Sequence, residues 1–341
     1  MSERIPMIAG VEPRLPRPRW SVMIPTYNCA HYLPESLTSV LTQARGSDAM
    51  QIEVVDDGST DGPQLVAERM AGGRVDYFQQ PTNVGVAANL TTCIRRARGE
   101  LVHILHGDDA VRPGFYAAME HAFAERPDLG AAFSRQIFMD ERGHWQALSP
   151  LERESSGVLD DAASYLATEQ RIMTPSICVP RSVYERLGGF HEDLRCTEDW
   201  EMWVRIAASY PIWYEVQPLA LYRVHDVSNT GRHVRTGDDV RDTAKAIDLI
   251  AQHLPPRIAP RIASKARQTY ALSALTTARK SLHRGDVGTA RAQVTGALRL
   301  SRSARVVAAA AKTLVDALML WVSPRDRAGQ TDRNRSSSGR G

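Results

Sequence analysis

Two acidic strand ends constrain this chain more than any other feature. One is EVVDDGSTDG, from Glu53 to Gly62, and the other is GELVHILHGDD, from Gly99 to Asp109. In each, an apolar run that reads as a buried strand, Ile52 to Val55 or Leu101 to Leu105, stops abruptly in small residues and carboxylates. An open α/β sheet presents its ligand-binding groups in this way, at the carboxyl ends of its strands. The surrounding pattern agrees. WSVMIP (Trp20 to Pro25) predicts a first strand that Pro25 terminates, and Leu33, Leu37, Val40 and Leu41 mark a helix from about Pro34 to Gln43. A helix over 63–70, a short strand over 75–79, a helix over 85–98, a helix over 113–125 and a strand over 131–140 follow. Such β-α-β-α order implies an α/β fold with a Rossmann-like, mostly parallel sheet and right-handed crossovers.

Between Gly157 and Val224 helical pieces (162–168, 181–187, 198–209) alternate with short strands near Ile177 and Ala220. Beyond His225 the composition shifts to Ala, Arg and Leu with few strand formers, which predicts an α-helical C-terminal appendage. Within it, 270–299 suits an antiparallel helix pair turning at Arg284-Gly285-Asp286. The expected organisation is an extended N-terminal arm over 1–19, a catalytic-type domain over 20–235, the helical region over 236–322 and a disordered Arg/Ser-rich tail over 323–341.

At 341 residues the chain is long enough for one large domain and an appendage. A net charge of +3, with no stretch that interleaves basic and aromatic residues, argues against a nucleic-acid partner. Cys29, Cys93, Cys178 and Cys196 are scattered, which suits reduced thiols in a cytosolic compartment and disfavours zinc. Cys93 and Cys178 lie among apolar neighbours and are expected to fill core. No apolar window is long enough for a spanning helix, and the proline-broken N-terminus lacks the apolar core of a signal peptide.

The acidic motifs each admit two readings. Asp56-Asp57-Gly58-Ser59 serves as a turn, or as carboxylates compensated by a cation or by a ligand rich in donors, such as a nucleotide base or ribose. Asp108 and Asp109 serve as a solvated turn or helix cap, or as a hard oxygen site for Mg or Mn that leaves positions open to diphosphate oxygens. In Thr197-Glu198-Asp199-Trp200-Glu201, the acids either complement a helix dipole or supply a general base at Asp199, with Trp200 and Trp203 offering flat surfaces to a sugar. His103, alternating with Val102 and Ile104, is expected to be packed in a strand. Arg95, Arg96 and Arg98 are expected on a solvated helix face.

Taken together, PTYN (Pro25 to Asn28), VVDDGSTDG (Val54 to Gly62), NVGVAANL (Asn83 to Leu90), GELVHILHGDD, GGF with TEDWEMWVRI (Gly188 to Ile206) and YRVHDVSNT (Tyr222 to Thr230) resemble the family 2 glycosyltransferases of the A-type fold, over roughly residues 20–230. The resemblance implies that Pro25, Thr26 and Tyr27 lie beside the nucleotide with Asn83, that Asp57 accepts a hydrogen bond from the base, and that Asp56 supports the loop. It implies that Asp108 faces ribose or metal and that Asp109 holds a divalent cation, Mn or Mg, on the diphosphate. Asp199 matches the family's catalytic base, with Glu198 and Trp200 beside it. Arg223 and His225 stand where the family often has a basic pair near diphosphate or acceptor, His225 being a further, weaker metal candidate. His106 replaces an acidic residue common in the family, which leaves open how Asp108 and Asp109 divide the metal.

The implied activity is that of an inverting, metal-dependent transferase. It would move a sugar from a nucleotide-diphospho-sugar, UDP-sugar by default, to a hydroxyl on a carbohydrate or lipid-linked acceptor in polysaccharide, glycolipid or glycoprotein synthesis. The alternatives are a nucleotidyltransferase, which would need a triphosphate-binding loop that is not evident after the first strand, and an inactive carbohydrate-binding module. Residues 304–322 carry an apolar stripe of Val307, Ala311, Leu314, Leu318 and Val322. That helix either packs on the appendage or lies on a membrane, aided by Trp321 and the arginines after it. The expected location is cytoplasmic, either free or in peripheral contact with the inner face of the plasma membrane.

Overall fold

A computed structural model describes residues 4–12, 17–225 and 229–322, with the backbone alone at 71, 229, 230 and 320–322. The expected disordered tail therefore falls outside the described residues, as does the side chain of Trp321.

Ten strands form one sheet: β1 (Trp20–Thr26), β2 (Met50–Asp56), β3 (Asp76–Gln79), β4 (Leu101–Ile104), β5 (Ala110–Val111), β6 (Ala131–Met139), β7 (Trp145–Leu148), β8 (Gly157–Val158), β9 (Ile177–Pro180) and β10 (Ile212–Arg223). The helices between them are α1 (Leu33–Leu41), α2 (Pro63–Ala71), α3 (Val86–Arg96), α4 (Phe115–Glu125), α5 (Ala162–Leu166), α6 (Arg181–Leu187) and α7 (Glu198–Ala207). After β10 come α8 (Asn229–Thr236), α9 (Asp238–His253), α10 (Ala259–His283), α11 (Val287–Leu300) and α12 (Ala304–Val322).

The main strand order is β3-β2-β1-β4-β9-β6-β10-β5, with β7 added beside β6 and β8 beside β10. The β3-β2-β1-β4 half is wholly parallel. The chain winds outward from β1 to β3 and returns to the other side of β1 with β4, so the strand direction of travel reverses between β1 and β4. The crevice above such a switch point is where open α/β sheets bind ligands. In the other half β9 enters antiparallel to both β4 and β6, while β6 and β10 run parallel. The sheet is therefore more mixed than the sequence pattern implies.

β1 and β2 are buried along their whole lengths, as parallel strands covered on both faces must be. Their alternate residues Trp20, Val22, Ile24, Met50, Ile52 and Val54 share one core with Leu33, Leu37 and Val40 of α1. The helix supplies that stripe because its apolar positions recur every three or four residues, and Pro34 sits in its first turn, where no intrahelical N–H is required. β10 runs for 12 residues, far beyond the short strand expected near Ala220. Glu215, Gln217 and Pro218 interrupt its apolar pattern, and its pairing with β6 shifts register at that place.

The chain divides into two compact units, 1–232 with 242–266, and 233–241 with 267–341. Most of α9 thus belongs with the sheet. The arm is tied into the first unit: Ile8 is buried, Gly189 donates its N–H to the Pro6 carbonyl and Arg181 donates to that of Ala9. In the second unit α11 begins at Asp286, whose carboxylate accepts the Thr289 N–H at 2.9 Å, so the turn falls at the expected place. Among the described residues no helix is long and apolar enough to cross a membrane.

Candidate active site

Three loops meet above the switch point, and local chemistry explains how each is held. After β1, Asn28 adopts a left-handed conformation (φ 51°), which asparagine tolerates better than most residues. Its N–H donates to Ser59 Oγ at 2.9 Å, and its side-chain oxygen accepts the Thr60 N–H at 2.9 Å, which joins the first loop to the second. In the second loop Asp56 is a brace: it accepts from Ser59 N (3.0 Å) and Oγ (2.5 Å), Tyr77 Oη (2.7 Å) and Gln79 Nε2 (3.0 Å). Asp57 accepts the N–H groups of Val84 (2.8 Å) and Gly85 (3.1 Å), fixing the turn that opens α3. Burial pushes the Asp57 carboxyl up, against the pull of those two bonds. Gly58 follows at φ 77°, where a Cβ would stand 3.1 Å from Asn83 N. Side-chain bulk would therefore press on the 82–83 turn.

The third loop, His106-Gly107-Asp108-Asp109, presses onto the first, since a Cβ on Gly107 would lie 2.7 Å from Thr26 Oγ1. The His106, Asp108 and Asp109 ligand atoms lie within 4.8 Å of one another. Asp109 is buried; one oxygen accepts the Arg223 N–H at 2.8 Å and the other has no hydrogen-bond partner. Burial, and then repulsion by Asp108, pushes the Asp109 carboxyl well up. Burial also opposes ionisation of Asp108, but the 2.9 Å bond to His225 Nε2 and the neighbouring imidazoles outweigh it and hold that carboxyl low. His106 has its pKa lowered by burial, which favours the neutral imidazole, and its Nε2 is buried without a partner. A divalent cation fits this donor set: it would satisfy the orphaned oxygen and nitrogen and relieve the repulsion between adjacent carboxylates.

A cavity of about 440 Å³ opens beside these groups. Pro25, Thr26, Tyr27, Asp57, Asn83, Asp108 and His225 line it, together with His106 and six residues that sequence reasoning did not assign to the site: Asn28, Cys29, Gly85, Val86, Asn89 and Arg232. Asp56 and Asp109 lie behind that lining. The left-handed tendency of Asn28 was the available signal; Arg232 follows the motif that ends at Thr230 and carried none.

Asp199 does not line this cavity. It lies in the first turn of α7, where one oxygen accepts the Trp200 N–H at 2.7 Å. The other oxygen accepts from Gln170 Nε2 (2.6 Å) and Thr174 Oγ1 (3.2 Å). Burial raises the Asp199 pKa to about 6 despite these bonds. Glu198 beside it is buried and pushed well up by burial and then by Asp199. The turn Thr174–Ser176 also connects to β4: the Pro175 carbonyl lies 3.0 Å from Nε2 of His103. Burial takes His103 down to about 4, so this packed histidine is neutral. The approach to α7 is held from α9, where Asp242 accepts the N–H groups of Arg195 (3.1 Å) and Cys196 (2.9 Å) and the Thr197 hydroxyl (2.7 Å). Gln170, Thr174 and Asp242 belong to no motif and escaped sequence reasoning.

Three expectations are corrected. Trp200 and Trp203 offer no stacking surface: both are buried, with Trp200 donating to the Leu166 carbonyl at 2.8 Å and Trp203 set against the Phe190 ring. They fall on the inward face of α7, which the acidic residues of its first turn obscured. Arg223 turns away from the cavity. It is buried, donates to the carbonyls of Asp108 (2.8 Å) and Asp140 (3.1 Å), pairs with Glu35 and lies over the Tyr32 ring, so it positions the Asp108-Asp109 backbone. Arg96 is more than a solvated charge, since it pairs with the buried Glu53 at 2.5 Å and lies 3.9 Å from the Phe78 ring centroid.

A nucleotide-sized cavity over the carboxyl ends of β1, β2 and β4, with an acidic cluster after β4, defines the A-type glycosyltransferase fold. Structural likeness agrees. Staphylococcus aureus TarS 1–349, solved with UDP-GlcNAc, matches with a TM-score of 0.63 over 89% of both chains at 17% identity. The mannosyltransferase PcManGT of Pyrobaculum calidifontis, solved with GDP-Man and Mn2+, matches with a TM-score of 0.54 over 91% of this chain and 83% of its own, at 22% identity. Residues 21–187, just under half of the chain, match the family model "Glycosyl transferase family 2". An uncharacterized glycosyltransferase of Rickettsia typhi, RT0329, is 26% identical over 62% of this chain, an alignment spanning 66% of the relative's length.

Proposed function

We propose that the chain is an inverting transferase that uses a nucleotide-diphospho-sugar, with UDP-sugar as first choice, a divalent cation, and a hydroxyl acceptor in polysaccharide, glycolipid or glycoprotein synthesis at the cytoplasmic side of the cell. The observation that carries this reading is the cavity that brings Pro25–Tyr27, Asp57 and Asn83 together with Asp108 next to the unsatisfied oxygen of Asp109. Mn or Mg is supported by that donor set and by the Mn2+ present in PcManGT. When bound, such an ion supplies charge stabilisation at the departing diphosphate.

The chain's own residues supply the rest. Tyr27, Asp57 and Asn83 hold base and ribose, while Arg223 keeps Asp108 and Asp109 in register through their backbone and carboxylate. Asp199 takes the acceptor hydroxyl's proton as that oxygen attacks the anomeric carbon. A base with a pKa near 6 is charged at neutral pH and still basic enough to be useful. Gln170 and Thr174 orient its carboxylate.

The test is release of nucleoside diphosphate from a panel of nucleotide-sugars, with and without Mn or Mg. Cation-dependent release from one donor, lost in Asp109→Ala, supports the reading and names the sugar. Silence across the panel, with no cation-dependent nucleotide binding by calorimetry, overturns it in favour of a binding module. Release of pyrophosphate from a nucleoside triphosphate would point to a nucleotidyltransferase instead.

A further inference from the structure

The exposed face of α12 is apolar. Val307, Leu314, Val315, Leu318 and Met319 are all exposed, the last two at 62% and 67%, while Val306, Ala310 and Thr313 are buried on the opposite side. At 3.6 residues per turn the exposed apolar positions, with Ala308 and Ala311, cover an arc of about 140°, and the exposed Lys312 and Arg305 follow along one margin, with the half-buried Asp316 just beyond them. A solvent-facing helix ordinarily shows the reverse pattern.

Charge identifies what fits this face. Residues 299–341 hold nine Arg and Lys against three Asp, a net charge of +6 on a chain whose total is +3. The rest of the molecule is therefore net acidic, and the basic excess is gathered around and beyond α12. A second copy would bring the net positive charge of one 299–341 segment against that of another. An anionic lipid surface instead accepts the apolar arc at the acyl boundary while the basic margin meets the headgroups. We propose that α12 lies flat on an anionic membrane surface, with Leu314, Leu318 and Met319 immersed, and docks the enzyme there without spanning the bilayer. This docking is independent of which donor the cavity takes.

Co-sedimentation of the full chain with vesicles tests it, using phosphatidylcholine alone and phosphatidylcholine containing about one third phosphatidylglycerol. The expected result is binding to the anionic vesicles only, weakened by high salt. The double variant Leu314→Glu/Leu318→Glu should bind at least about tenfold more weakly, since each leucine forfeits its burial in the acyl region. Both positions are exposed, so an unchanged thermal midpoint verifies the variant's fold. Equal binding to neutral vesicles, no binding at all, or full binding by the double variant would overturn the proposal. So would a native dimer that the double variant converts to monomer while vesicles capture neither.

Discussion

The donor cavity and the Asp199 environment are built in opposite ways. The cavity is made by loops that directly follow β1, β2 and β4, and its braces are local: Asp56 to Ser59, Asn28 to Thr60, Asp57 to the turn at 84–85. Asp199 is held by segments that are distant in sequence, with Gln170 and Thr174 on one side and Asp242 of α9 acting through Thr197 on the other. On the proposed roles, donor binding should survive damage to the second region, whereas turnover should need both.

Asp199→Asn should separate the two regions most clearly. It should lower turnover by about 10² to 10⁴-fold and leave nucleotide-sugar affinity nearly unchanged. Asp109→Ala should fail earlier, with cation-dependent nucleotide affinity falling on the order of 10²-fold by calorimetry. Turnover should also report the base by its pH dependence. With its pKa raised to about 6, Asp199 is charged above that pH and protonated below it, so kcat should fall about tenfold per unit as pH drops below 6. A carboxyl at its ordinary value would keep the rate level down to about pH 4. Asp242→Ala strips the acceptor from the Arg195–Thr197 approach, and a loss of about tenfold in kcat with little change in donor KM is expected. Smallest on turnover is Trp200→Phe, which removes the bond to the Leu166 carbonyl and part of a fully buried ring. It should cost about 1–3 kcal/mol of stability and leave acceptor KM unchanged; a raised KM would restore a stacking role to that indole.

The same contrast explains what was legible in the sequence. Strands buried on both faces write themselves as continuous apolar runs, so β1, β2 and β4 and their acidic ends stood out, as did the helix turn at Gly285. β9 did not announce its antiparallel course, because direction is set by where a chain returns and leaves no mark on four residues such as Ile177–Pro180. The length of β10 was hidden by a register shift around Pro218. Trp200 looked available because it follows Glu198 and Asp199, yet one step along a helix turns the side chain by about 100° into the core. Arg223 looked like a ligand group because charge alone does not reveal that carbonyls of Asp108, Asp140 and Glu141 converge on it.

The most direct test is paired calorimetry and turnover on three proteins with the donor that the release panel selects, in Mn or Mg. The native chain should bind and turn over, Asp199→Asn should bind with the native affinity and scarcely turn over, and Asp109→Ala should lose both. An Asp199→Asn protein that keeps native turnover, or an Asp109→Ala protein that keeps cation-dependent binding, would contradict the division between donor cavity and base on which this account rests.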